Sequence, residues 1–196
     1  MMKFFLFFLF LNNLYAQVIV CLGDSLTEGY GIEPEEAYPQ LLENYLVKNG
    51  MKEAKVINAG ISGSTSSSGL DRLKWTLKAN PTHLLLALGA NDGLRGIKVE
   101  ETFKNLDQIV SLAIENKIKV LVLGMELPLN YGEQYRKDFR NIYTKLATKH
   151  QLPKPPFLLE GVATKKELNL ADGIHPNVKG HQVMGESVFL FLKKYL

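Results

Sequence analysis

The chain has 196 residues, of which 46% are hydrophobic and 22% charged, and it carries a formal net charge of +3. That length and composition fit one globular domain with a well-buried core. The basic residues are scattered and form no stripe that could neutralise successive phosphates, which argues against nucleic acid as a partner.

The first sixteen residues differ from the rest. Lys3 supplies one positive charge, and residues 4–11 are an unbroken apolar run. Asn12 and Asn13 interrupt that run well before the ~20 residues needed to cross a bilayer. Leu14, Tyr15 and Ala16 then end in the small residue that a signal peptidase prefers. The expected organisation is a signal peptide over 1–16, cleaved after Ala16, and one domain over 17–196. Such a protein would be exported to a periplasm or secreted, with no stable membrane insertion after cleavage. The lone Cys21 has no partner for an intramolecular disulfide. It sits inside an apolar run with Val20 before it, where a lipid-modified cysteine would follow a small residue, so it reads as a buried hydrophobe.

After Gln17, short apolar runs alternate with longer segments of helical spacing. The predicted strands are 18–22, 55–58, 83–88, 119–123 and a weaker 157–159, all short and apolar as strands buried on both faces should be. The predicted helices are 38–48, 67–78, 99–116, 134–149 and 178–195. In the third, Phe103, Leu106, Ile109, Val110 and Ala113 recur at helical spacing while charged residues take the other face. Strict alternation implies a three-layer α/β domain with a five-stranded parallel sheet and right-handed crossovers. In such sheets ligands gather at the carboxyl ends of the strands. The proline-rich segment 151–156 reads as a turn into the last strand.

The clusters that follow the strands are rich in Gly and small polar residues. They are Gly23-Asp24-Ser25-Leu26, Asn58-Ala59-Gly60-Ile61-Ser62-Gly63-Ser64-Thr65 and Gly89-Ala90-Asn91-Asp92-Gly93, followed near the C-terminus by Asp172-Gly173-Ile174-His175-Pro176. Each alone suits a tight turn or a helix cap. Three such turns after successive parallel strands converge on one sheet edge, however, and an Asp and a His follow three residues apart. Acyl transfer needs a hydroxyl, a base, a carboxylate to orient the base, and donors for the oxyanion. This set contains all four.

The blocks G-D-S-L at Ser25, Gly in the second turn, G-x-N-D at Asn91 and D-x-x-H from Asp172 to His175 resemble those of the SGNH (GDSL) hydrolase superfamily, in the same order. Within it the chain is similar to the bacterial periplasmic thioesterase I, lysophospholipase and arylesterase group, over nearly all of 17–196. The resemblance implies the flavodoxin-like SGNH hydrolase fold, serine-dependent hydrolysis of carboxylic esters or thioesters, and a small-molecule acyl substrate. It makes Ser25 the nucleophile, His175 the general base and Asp172 its orienting partner. The oxyanion hole would be the Ser25 N–H, the Gly63 N–H and the Asn91 side-chain amide. No metal or organic cofactor is implied. Close relatives often carry Asp or Asn after Gly63, where this chain has Ser64, so a change in rate or substrate preference is expected, with the chemistry retained. Leu127, Leu129 and Tyr131 follow the fourth strand and are candidates for an apolar acyl channel, with loop packing the equal alternative. A monomer or weak oligomer is expected.

Other readings have less behind them. No G-x-S-x-G nucleophile elbow occurs. The four histidines, at 83, 150, 175 and 181, form no H-E-x-x-H motif, and His83 and His181 suit structural or surface roles. No P-loop or dinucleotide fingerprint follows the first strand. A carbohydrate O-acetyl esterase is the runner-up. A non-catalytic lipid- or glycan-binding module would be expected to lack at least one of Ser25, Asn91, Asp172 and His175, and all are present.

Overall fold

The computed structural model describes residues 17–196, so the expected signal peptide over 1–16 lies outside the described residues. The apolar run after Gln17 forms strand Val18–Gly23 (β1), buried from Ile19 onward, and Cys21 is fully buried within it. A short helix, Ser25–Glu28 (α1), follows at once, and helix Tyr38–Lys48 (α2) carries the chain across to strand Lys55–Gly60 (β2). The chain then returns past β1. Helix Gly69–Thr76 (α3) leads to strand His83–Ala87 (β3), and helices Ala90–Leu94 (α4) and Val99–Glu115 (α5) lead to strand Lys119–Val122 (β4). Helices Glu133–Lys149 (α6) and Val178–Leu192 (α7) complete the chain.

The strand order is β2-β1-β3-β4, with every pair parallel. Movement from β1 to β2 runs opposite to movement from β2 to β3 and β4. Right-handed crossovers therefore place α2 on one face and α3 and α5 on the other. The packing agrees: α2 lies against α7, while α3 contacts α5 and α5 contacts α6. The result is the three-layer, flavodoxin-like arrangement, whose point of reversal lies between β1 and β3.

Three expectations need correction. The fifth strand is a single parallel bridge between Gly124 and Phe157. The Gly124 N–H donates to the Pro156 carbonyl at 2.7 Å, and the Leu158 N–H donates to the Gly124 carbonyl at 3.0 Å. Pro155 and Pro156 have no N–H with which to extend the ladder, and residues 158–164 turn away. Among the described residues the regular sheet thus has four strands. Nor are all strands buried on both faces: β2, at the sheet edge, has no fully buried residue, and its Lys55 and Asn58 face solvent. The segment 67–78 resolves into 3₁₀ turns on either side of α3, and α7 stops at Leu192.

The core follows the sequence pattern where burial is deep. All five residues of β3 are buried, and α5 turns Leu106, Ile109, Val110 and Ala113 inward. His181 of α7 is buried, and its Nδ1 accepts the N–H of Tyr38 at 3.2 Å, a donor at the start of α2 that no side chain of the preceding loop caps. Accepting requires an unprotonated Nδ1, and burial, reinforced by the charge of His175, pulls its pKa down to about 4.

Candidate active site

The first turn is set by Asp24, whose Oδ1 accepts the Leu26 N–H at 3.1 Å and caps α1. Ser25 becomes the first helical residue, at the carboxyl end of β1. Its own N–H lies in the opening turn, where a helix offers no acceptor. Gly29, at φ +92°, closes the helix, and the N–H groups of Gly29 and Tyr30 both donate to the Ser25 carbonyl at 3.1 Å. The backbone around Ser25 is therefore tied at both ends before any tertiary contact is counted.

The C-terminal loop delivers the partner groups. Asp172 Oδ1 accepts the N–H groups of Ile174 and His175, each at 3.0 Å, and its Oδ2 lies 2.7 Å from His175 Nδ1. A carboxylate acceptor on that side places the ring proton on Nδ1 and leaves Nε2 as the basic atom. His175 Nε2 lies 3.0 Å from Ser25 Oγ. Partial burial acts to raise the Asp172 carboxyl. The backbone N–H and ring of His175, with the Ile174 N–H, outweigh that and hold it at about 2. The loop is anchored in turn by the Leu170 N–H to the His175 carbonyl at 2.7 Å, and by an antiparallel bridge between Asn169 and Pro176.

The second and third turns are knitted together by two adjacent residues. Asn91 Nδ2 donates to the Ser64 carbonyl at 3.0 Å, which orients the amide and leaves its second N–H for another acceptor. Asp92 is fully buried: it accepts the Ser66 N–H at 2.8 Å, the Ser66 hydroxyl, and the Thr102 hydroxyl at 3.3 Å. Gly63 sits at φ +75°, and its carbonyl accepts from Arg95 Nη2 at 2.9 Å.

Ser25, Asn91 and His175 all line one cleft of about 340 Å³, and Gly63 lies outside its lining. Away from these polar groups the wall is mostly apolar, with Leu94, Met125, Leu127 and Leu129 joined by Phe157, Leu159 and Ile174. Leu127 is buried, and Leu129 projects at the rim, 79% exposed. Tyr131 does not line the cleft. Its hydroxyl donates to the Leu94 carbonyl at 3.0 Å, so it braces the wall from behind.

Residues 21–183 match the model of the GDSL-like Lipase/Acylhydrolase family. The chain belongs to that family. Among its relatives, an arylesterase of Vibrio mimicus is 38% identical over 182 residues, covering 92% of this chain and 90% of the relative. The thioesterase 1/protease 1/lysophospholipase L1 of Escherichia coli K12 is 40% identical over 163 residues, covering 83% and 76%. The crystal structure of TesA superposes with a TM-score of 0.88 at 35% identity, covering 92% of this chain and all of that one.

Seen as a GDSL-like acylhydrolase, the chain also has groups behind its first turn that sequence reasoning did not single out. Arg72 reaches from α3 to the strand ends, where Nη2 donates to the Gly23 carbonyl at 2.5 Å and to the Ala59 carbonyl. Asp24 is 1% exposed, and among the described residues neither its Oδ2 nor Arg72 Nη1 has a hydrogen-bond partner. Burial pushes the Asp24 carboxyl up to about 6, against the opposing pull of the Leu26 N–H, its own N–H and the charges of His175 and Arg72. The one signal for this in the sequence was a charged Asp locked into a turn after an apolar strand.

Proposed function

We propose that Ser25 is the nucleophile, His175 the general base and Asp172 the residue that orients it, in the hydrolysis of a carboxylic ester or thioester. The observation that carries this reading is the continuous chain from Asp172 through His175 to Ser25, at 2.7 and 3.0 Å, at the mouth of an apolar cleft. Ser25 Oγ attacks the acyl carbonyl while its proton passes to His175 Nε2. The bond to the leaving oxygen or sulfur breaks, and that atom takes the proton from Nε2. Water then attacks the acyl-enzyme and gives a proton to the same nitrogen; the bond from the acyl carbon to Oγ breaks, Oγ takes the proton back from Nε2, and the acid leaves. The Ser25 N–H, the Gly63 N–H and the free N–H of Asn91 are the proposed oxyanion donors. The acyl group lies along Leu127 and Leu129, where affinity rises with chain length by at most ~0.8 kcal/mol per buried CH₂.

The apolar wall favours an acyl chain over a sugar-bound acetyl group, which needs no such groove. The signal-peptide pattern of residues 1–16 supports export to a periplasm or the medium, where the substrate would be a small ester or thioester. The test is hydrolysis of p-nitrophenyl esters of increasing acyl length, with an acyl-CoA, a lysophospholipid and an acetylated sugar alongside, by wild type and Ser25→Ala. Activity that rises with acyl length and is lost in Ser25→Ala is expected. Strict preference for acetyl would replace this reading with a deacetylase, and undiminished Ser25→Ala activity would remove the nucleophile.

A further inference from the structure

The cleft accounts for one side of the Ser25–His175 pair. On another stands Tyr30, which is no part of the cleft lining. Its ring centroid lies 4.6 Å from that of His175, with the planes inclined at 40°, and half of its surface remains open to solvent. Its position is not incidental to the nucleophile. Gly29 turns the chain out of α1 in the left-handed region, and the Tyr30 N–H donates to the Ser25 carbonyl, so the ring rides on the same turn as Ser25.

The chemistry fixes what can lie there. During acylation the carbonyl carbon is bonded to Ser25 Oγ while the leaving atom accepts a proton from His175 Nε2, so that atom must sit against the imidazole. With the acyl chain in the cleft, the substituent on the leaving atom is directed out of it, past the ring that flanks His175. A half-exposed aromatic side chain offers that substituent an apolar edge and face suited to another ring. We infer that Tyr30 is the leaving-group platform of the enzyme and selects esters and thioesters of aromatic alcohols and thiols over alkyl ones of the same acid. The inference rests on the assignment of Ser25 and His175 above. It makes Tyr30 a specificity-determining residue that touches substrate.

The experiment compares kcat/KM for phenyl and ethyl butyrate in wild type, Tyr30→Phe and Tyr30→Ala. The phenyl-to-ethyl ratio should fall on the order of 10-fold in Tyr30→Ala and stay near wild type in Tyr30→Phe. The two substrates share one acyl-enzyme, so a change in their kcat/KM ratio reports acylation alone. A residue that acted only through His175 would move the ratio the other way. Ethoxide, the poorer leaving group, depends more on the proton from His175 than phenoxide does, and ethyl ester hydrolysis would suffer more. A ratio that rises or stays unchanged in Tyr30→Ala overturns the inference. Ser25→Ala on the same two esters separates failure of the platform from failure of the nucleophile, because only the latter would leave its hydrolysis undiminished.

Discussion

Replacing Asp24 by Asn should make the protein more stable, and increasingly so as pH rises. Asp24 is buried next to Ser25 in the chain, and its carboxyl is pushed from 3.8 up to about 6. A carboxyl whose folded value lies above its unfolded one stabilises the fold fully below pH 3.8, and that contribution is lost as pH rises to 6. The interval corresponds to about 3 kcal/mol at roughly 1.4 kcal/mol per tenfold change in proton affinity. Asn cannot ionise, and its side-chain oxygen still accepts the Leu26 N–H. The other titrating groups are common to both proteins and cancel in the difference. Urea unfolding at pH 4 and pH 7.5 should show the stability of Asp24→Asn relative to wild type growing by about 2 kcal/mol between the two. A difference independent of pH, or one that shrinks as pH rises, would refute the reasoning that Asp24 is a buried and incompletely paired charge.

Asn91→Ala should lower kcat/KM for p-nitrophenyl butyrate by roughly 10²–10³ and still give a cooperative unfolding transition, since the proposed oxyanion donor is lost and the core is not. Leu127 is buried in the cleft wall, and Leu127→Ala should destabilise the fold by about 2–5 kcal/mol in urea unfolding. Buried Tyr143 donates to the Leu88 carbonyl at 3.1 Å, just before the third turn. Tyr143→Phe should therefore lower stability by about 1–3 kcal/mol through the unsatisfied carbonyl, as measured by the shift in thermal midpoint.

The sequence was most informative where period and burial coincide. The runs that became β1 and β3 are wholly or almost wholly buried, and the helical stripe of α5 packs as its spacing implied. It was least informative at the sheet edges. The apolar run after Pro155 and Pro156 looked like a strand, but two residues without N–H groups reduced it to one bridge. At the site, Ser25, Asp172 and His175 were legible because their chemistry lies in short local blocks, and the structure brings these residues within hydrogen-bonding distance. Arg72 was not legible, because its reach to the ends of β1 and β2 depends on how α3 packs. Tyr131 shows the same limit: its place after β4 suited a channel wall and loop packing equally, and only the structure shows its hydroxyl turned to the Leu94 carbonyl. Tyr30 was not legible either, because only the approach of a loop about 145 residues further on makes it a neighbour of His175.

The most direct test of the central claim is the site of the acyl-enzyme. The protein is mixed with p-nitrophenyl butyrate, quenched in acid within the burst phase, and its peptides are read by mass spectrometry. One butyryl group on the peptide containing Ser25, and none on that peptide in Ser25→Ala, is the predicted result. A butyryl group on another residue, or steady hydrolysis by Ser25→Ala at the wild-type rate, would contradict it.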